Sequence, residues 1–234
     1  MHKFTSAVIL AAGHGARFAS DVKKQYVSVG GIPAIVRCLQ IFDACPLIDE
    51  MILVGDMEEM REVLTPYSFD KLATVTAGGK TRQESALRGF DAISSKAKYV
   101  AIHDAARCLV TDEMIENTVR AAYQYRAAAA AEKVVDTVKR ADAEGFVQET
   151  LDREYIWLMK TPQVFQCDIY RVAAYMAKKE KVVATDDSML CERLGFRVKL
   201  IECGPENIKL THPEDLQRAA AILEMRKRKE EESI

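Results

Sequence analysis

The sequence predicts an α/β protein built on a mostly parallel sheet flanked by helices. Short apolar runs at 7–10, 51–55 and 99–102 alternate with segments whose apolar residues recur at helical spacing. The connections between them are short, as in βαβ units. The runs also lead into loops rich in glycine or aspartate: Gly13-His14-Gly15, Gly78-Gly79 and His103-Asp104-Ala105-Ala106-Arg107. Parallel sheets bind ligands outside the carboxyl ends of their strands, so these three loops predict one composite site.

The first strand is the run Ala7-Val8-Ile9-Leu10, leading into Gly13-His14-Gly15. Over 35–42, Ile35, Leu39 and Phe42 recur at i, i+4, i+7 and predict a helix, with Pro33 at its start. Residues 51–55 form the second strand, 58–64 a helix, and 74–76 a short strand ending at the glycine pair. A helix over 82–93 and a strand over 99–102 follow, then a helix from Thr111 to about residue 125. The alanine run 127–131 reads both ways: alanine favours continuing the helix, and small side chains suit a crowded sheet centre. Residues 133–141 and 146–152, across Asp142-Ala143-Glu144-Gly145, predict a hairpin, an unusual insertion in a βαβ chain. Helices over 168–178 and 187–194, the second closed by Gly195, precede a strand over 197–201. Pro213 opens the last helix, whose charged end reads as solvated. Nothing marks an internal repeat or a linker, so one domain over 1–234 is expected, with an arm at about 133–156.

The bulk numbers narrow the function. Thirty-three basic and 35 acidic residues leave a net charge of −2, which argues against a nucleic-acid partner but does not exclude a local basic site. No apolar run approaches the ~20 residues of a membrane span. The N-terminal apolar stretch is short and runs into a basic turn, so it reads as a strand, not a signal peptide. The six cysteines are scattered without a C-x-x-C pair, as expected of reduced thiols in a cytoplasmic protein.

The glycine turn supplies backbone N–H groups at close approach, with Arg17, Lys23 and Lys24 behind it, a combination suited to a polyphosphate. Phe18 breaks a dinucleotide fingerprint, and Gly-Lys-Ser/Thr is absent from this turn. By spacing alone, Gly-x-Gly fits a structural turn as well as a phosphate cradle; the cations favour the cradle. On a strand, His103 and Asp104 point to opposite faces, so His103 reads as a buried, hydrogen-bonded histidine and Asp104 as the residue that meets a cation or hydroxyl. Asp186-Asp187 fits a metal pair or the N-cap of the following helix. No Ser-His-Asp or Cys-His arrangement presents a base. A phosphate monoester, with a second pKa of about 6, is already anionic at neutral pH and needs positioning and charge neutralisation instead.

Read together, LAAGHGARF with KQY, GGKTRQES, HDAAR, DTVKR, Asp152-Arg153, TPQVF, TDDS and GPENIKLTHPEDL resemble the 2-C-methyl-D-erythritol 4-phosphate cytidylyltransferase family along nearly the whole chain. The resemblance implies a Rossmann-like nucleotidyltransferase fold and transfer of CMP from CTP to the sugar-alcohol phosphate. It implies that Ala11, Ala12, Gly13 and Gly15 cradle the nucleotide, that Arg17 and Lys24 hold the triphosphate, and that Lys209 reaches the α-phosphate. Gly79 and Ser85 would face the cytosine. Asp104 and Arg107 would address the sugar alcohol, with Thr161 and Thr185 near its phosphate. Thr137 and Arg153 lie on the hairpin, which in the family is an arm exchanged within a homodimer. Magnesium is implied on phosphate oxygens, with Asp104 its protein contact. The resemblance also turns 127–131 into a strand.

Lys23, Cys108 and Lys133 stand where the family usually has proline, and Lys80 where an acidic or polar residue is common; Lys23 is expected to loosen its loop. A sister family acting on pentitol phosphates such as ribitol 5-phosphate shares the nucleotide loop, but HDAAR and DTVKR are closer to the methylerythritol branch. A non-catalytic nucleotide-binding protein would be expected to lack Arg17, Lys24 or Lys209, and all three are present.

Overall fold

The computed structural model describes residues 2–13 and 23–232. From the N-terminus its elements are β1 (Thr5–Leu10), β2 (Ser28–Val29), β3 (Ile32–Pro33), α1 (Ala34–Ala44), β4 (Glu50–Gly55) and α2 (Met57–Leu64). Next come β5 (Leu72–Ala77), α3 (Arg82–Asp91), β6 (Tyr99–Asp104), α4 (Asp112–Tyr125) and β7 (Ala127–Lys133). The chain continues through β8 (Val138–Ala141), β9 (Val147–Leu151), β10 (Trp157–Gln166), α5 (Cys167–Lys179), α6 (Asp187–Arg193), β11 (Lys199–Glu202) and α7 (Glu214–Glu231).

One seven-stranded sheet has the order β11-β7-β10-β6-β1-β4-β5. Its pairs are parallel except those made by β10, which runs antiparallel to both β6 and β7. This is the mostly parallel α/β sheet the sequence predicts. Alternate side chains of each strand feed opposite faces. Ala7, Ile9, Met51, Leu53 and Ala101 pack under Ile35, Leu39 and Phe42 of α1 and Ile115 and Val119 of α4. Val8, Leu10, Ile52, Val54, Val100 and Ile102 pack against α3, α5 and α6 through Leu87, Phe90, Tyr170 and Leu190. A third cluster joins Ala219 and Ile222 of α7 to Val29, Ala106, Leu109 and Leu210. Cys108, standing in place of the family's proline, is buried in this third cluster.

Helix starts follow local chemistry. Asp56, Thr81, Thr111 and Asp186 accept hydrogen bonds from backbone N–H groups in the first turns of α2, α3, α4 and α6. Asp186 is therefore an N-cap, whereas the adjacent Asp187 turns inward. Gly195, with φ +79°, follows α6 in the left-handed conformation that ends helices.

Two expectations change, and one reading left open by local pattern is settled. The alanine run is a strand, as the resemblance implies, with Ala127 to Ala131 almost wholly buried between β10 and β11. The run 133–141 is not one strand: Lys133 ends β7, and the hairpin strand begins only at Val138. Residues 157–166, to which the sequence pattern assigns no element, form β10 beside β6. Its register against β7 breaks between Met159 and Gln163, so the Lys160-Thr161-Pro162 segment lies outside regular pairing.

The hairpin itself is present: β8 and β9 pair with each other as a separate two-stranded sheet. Because β7 is parallel to β11 and antiparallel to β10, it runs toward the same sheet edge as β1 and β6. The hairpin therefore leaves from the edge at which the ligand loops gather.

Candidate active site

Strand register brings the site together. Leu10 lies opposite both Val54 and Asp104, so β1, β4 and β6 end level with one another. The segments that follow them open onto a cleft of about 260 Å³, which also takes in residues from beyond β5 and β11. Its lining includes Ala11, Ala12, Gly13, Lys24, Gly79, Ser85, Asp104 and Lys209, all predicted from the sequence as site residues. Lys80, Arg82 and Gln25 line it as well. Gly15 and Arg17 lie outside the described residues.

The loops are pinned by side chains. Gln25, nearly fully buried, donates Nε2 to the carbonyls of Ala11 (2.7 Å) and Gly13 (3.3 Å). Ser85 Oγ accepts from the Gly79 N–H at 2.9 Å and donates to the Thr81 carbonyl at 2.9 Å. Glu84 accepts from the Lys80 N–H at 2.8 Å. The glycine pair is required here, because a Cβ on Gly78 would run into the Cβ of Ala12 and one on Gly79 into Glu84. Lys23 Nζ donates to both oxygens of Glu59 on α2 at 2.6 Å; the loop it was expected to loosen, 14–22, lies outside the described residues.

Electrostatically, the cleft centres on Asp104. One oxygen accepts from Arg82 Nε at 2.9 Å, the other from Lys209 Nζ at 2.6 Å. Burial works to raise the pKa of this carboxyl, but the Arg82 and Lys209 charges outweigh it and hold the group well below the usual carboxylate range. Arg82 continues to Asp187, whose Oδ2 it meets at 2.6 Å, and Asp187 Oδ1 accepts from Tyr170 Oη at 2.8 Å. Burial would lower the Arg82 pKa, yet its two carboxylate partners keep it firmly charged. Lys24, Lys80, Arg82 and Lys209 thus line a cleft that holds one carboxylate, Asp104, an arrangement that recruits a polyanion.

The remaining predicted residues lie around the cleft, outside its lining. Arg107 donates Nη1 to the Asn207 carbonyl at 2.8 Å, and burial lowers its pKa. Thr161 is buried, with its hydroxyl between His103 and the Asp104 backbone. Thr185 is exposed just before α6. Thr137 and Arg153 are exposed at the root of the hairpin, where Arg153 Nη1 donates to the Val135 carbonyl at 2.6 Å. Lys133 lies over the Trp157 ring at 5.3 Å, bracing the same root.

Sequence reasoning missed Gln25, Arg82 and Asn207. Asn207 is fully buried, donates Nδ2 to the Thr161 carbonyl at 2.9 Å and offers its backbone carbonyl to Arg107. All three sit inside quoted motifs, so their only signal was proximity to residues already chosen. Among the described residues, no three His, Cys, Asp or Glu side chains converge as a metal site. His103 is fully buried, which depresses its pKa to about 3, so it offers no general base to the cleft. The described residues of the site can bind and orient a polyphosphate and neutralise charge; among them, none is placed as a general base.

Comparison with known proteins agrees with this geometry. The family model described as "IspD: 2-C-methyl-D-erythritol 4-phosphate cytidylyltransferase" matches residues 5–225. The 2-C-methyl-D-erythritol 4-phosphate cytidylyltransferase of Caldanaerobacter subterraneus subsp. tengcongensis is 41% identical over 222 residues, covering 93% of this chain and 98% of the relative. That of Geobacillus kaustophilus is 40% identical over 223 residues, covering 94% and 97%. Among solved structures, 4-diphosphocytidyl-2C-methyl-D-erythritol synthase from Anaerococcus prevotii superposes with a TM-score of 0.84 at 31% identity, over 95% of this chain and 96% of that one. The Thermus thermophilus 2-C-methyl-D-erythritol 4-phosphate cytidylyltransferase superposes with a TM-score of 0.75 at 29% identity, over 95% and 98%. With loops, sheet order and relatives all in agreement, the chain belongs to the 2-C-methyl-D-erythritol 4-phosphate cytidylyltransferase family.

Proposed function

We propose that the protein transfers CMP from CTP to 2-C-methyl-D-erythritol 4-phosphate, a step of isoprenoid precursor synthesis. A 4-phosphate oxygen attacks the α-phosphorus of CTP, the bond to the bridging β-phosphate oxygen breaks, and pyrophosphate leaves with that electron pair. The observation that carries this reading is the cleft's chemistry: several cations around one ionised carboxylate, with the nearby histidine buried and neutral. Such a site suits a nucleophile that arrives already anionic.

In this reading, the Ala11–Gly13 backbone and Lys24 hold the triphosphate together with Arg17, and Lys209 neutralises the α-phosphate. Gly79 and Ser85 face the cytosine, Asp104 and Arg107 the sugar alcohol, and Thr185 its phosphate. Magnesium would travel on the phosphate oxygens. Both oxygens of Asp104 already accept from cations, so an ion binding that carboxylate directly would share it with Arg82 and Lys209. The hairpin arm would pair with a second copy and bring Thr137 and Arg153 to that copy's site. In support, the arm springs from the ligand edge and exposes Val135 (78%), Phe146 (73%) and Tyr155 (75%), an apolar surface suited to a partner. Six buried, unpaired cysteines suit the reducing cytoplasm.

The test is a steady-state assay of pyrophosphate release with CTP and magnesium, offering 2-C-methyl-D-erythritol 4-phosphate or ribitol 5-phosphate. Faster turnover is expected on the first. Faster turnover on ribitol 5-phosphate overturns the substrate assignment.

A further inference from the structure

We propose that His103 and Thr161 are positioning residues for this transfer. Together they clamp the Asp104–Arg107 turn and so set where the Asp104 carboxylate and the Arg107 guanidinium meet the substrate. The inference rests on the function proposed above, but its structural half stands on hydrogen bonding alone.

The turn is closed by the Arg107 N–H donating to the Asp104 carbonyl at 2.9 Å. His103, immediately before it, is fully buried against the Phe42 ring at 4.9 Å. Its Nε2 lies 3.2 Å from the Arg107 carbonyl oxygen. A carbonyl only accepts, so Nε2 carries the proton. The Thr161 hydroxyl is buried, and among the described residues Nδ1 is the acceptor within its reach. Nδ1 faces Thr161 Oγ1 at 3.0 Å, so the threonine hydroxyl donates to it. The same oxygen accepts the Asp104 N–H at 3.1 Å. The result is a chain with one direction: Asp104 N–H to Thr161 Oγ1–H to His103 Nδ1, with His103 Nε2–H to the Arg107 carbonyl.

This chain reassigns Thr161. Its one hydroxyl proton is committed to His103, so it acts on the substrate through Asp104 and not as a donor to the substrate phosphate. The lifted segment of β10 explains how Thr161 reaches the turn, and the Asn207 amide holds the Thr161 carbonyl from the other side at 2.9 Å. One imidazole and one hydroxyl therefore tie both ends of the turn to β10.

The experiment uses the full chain and has two readouts. In the first, Thr161→Val, Thr161→Ser, His103→Phe and the His103→Phe/Thr161→Val double variant are compared in steady state, with binding of a non-hydrolysable CTP analogue measured separately. Thr161→Val is expected to lower kcat/KM for the alcohol phosphate on the order of ten- to a hundredfold, the loss of one buried hydrogen-bonding partner. Affinity for the CTP analogue should stay within about twofold and Thr161→Ser should restore activity, while the double variant should be no worse than the poorer single variant. Multiplying effects would mean that Thr161 touches substrate independently, and equal losses for both substrates would mean a general collapse; either overturns the proposal. In the second readout, 15N-histidine NMR of the unmodified protein at neutral pH should show a buried neutral ring protonated at Nε2, with an Nδ1 resonance that moves on Thr161→Val. A protonated ring or an Nδ1–H tautomer overturns the chain even if the protein turns over neither alcohol phosphate, whereas that lack of turnover would refute the proposed reaction.

Discussion

His103 provides a stability effect whose size follows from its burial. The unfolded chain titrates this group at 6.5, and the folded protein at about 3. Between those values the unfolded state binds the extra proton, so stability rises with pH. The contribution is complete above pH 6.5 and is lost as pH falls toward the folded value. At pH 5 the unfolded state is favoured by protonation roughly thirtyfold, or about 2 kcal/mol relative to neutral pH. The perturbation is His103→Gln, which keeps an amide near the Nε2 position and removes the titration. Urea unfolding of both proteins at pH 7 and pH 5 measures it. With a urea slope of about 2–3 kcal/mol per M, the unmodified protein should lose roughly 1 M more in midpoint than the variant.

The comparison with the variant isolates His103 from the carboxylates. Asp112 and Glu192, whose pKa values are raised chiefly by burial, titrate in both proteins alike. Asp104, held well below the usual range, keeps its charge throughout this window; the stability it contributes is complete here and is lost only in stronger acid. Parallel midpoint shifts in the two proteins would refute the burial argument, and with it the assignment of a neutral ring.

Three further outcomes follow from the geometry. Lys24→Ala should cut turnover by two orders of magnitude or more while the melting temperature holds, as expected of a group that stabilises transition-state charge; near-normal turnover removes Lys24 from the mechanism. Asp187→Asn should cost about 3–5 kcal/mol in urea unfolding, because this carboxylate is 1% exposed and its loss leaves Arg82 and Tyr170 short of a partner; a loss under about 1 kcal/mol contradicts that role. Arg153→Ala should raise KM for the alcohol phosphate about tenfold or more and leave KM for CTP unchanged, the mark of lost binding to one substrate; equal increases for both would contradict the arm assignment.

How much the sequence discloses depends on whether a residue's neighbours are local. β1, β4 and β6 are continuous apolar runs ending in turn residues, so one-dimensional pattern suffices for them. The alanine run 127–131 defeats propensity, because its strand state is set by burial between β10 and β11. β10 was invisible for a related reason. Trp157–Gln166 carries Lys160, Pro162 and Gln163, which argue against a central strand. The break in register accommodates Pro162, and the buried Gln163 side chain is satisfied by the N–H groups of Asp187 and Ser188 and by the Asp186 carboxylate. The same holds in the site. Lys24, Asp104 and Lys209 are legible as charges beside loops. Arg82 matters because it joins Asp104, 22 residues away, to Asp187, 105 residues away. No local pattern encodes that junction.

That junction bears on how Lys209 serves a phosphate. Asp104 holds both Arg82 and Lys209, so an incoming anion must compete with a carboxylate for each. Arg82 has a second carboxylate, Asp187, buried and 2.6 Å away, whereas Lys209 is about one-third exposed and, among the described residues, ion-paired with Asp104 alone. Of the two cations, Lys209 is the one that could turn toward a phosphate, as the proposed reaction requires, at the smaller electrostatic cost. Asp104 is not left unpaired by that movement, because Arg82 remains on its other oxygen. Its carboxyl therefore stays ionised while Lys209 changes partners, and no proton needs to move. In the proposed reaction, a site arranged in this way would bring a positive charge to the α-phosphate without a proton transfer, which matches a nucleophile that carries its own negative charge.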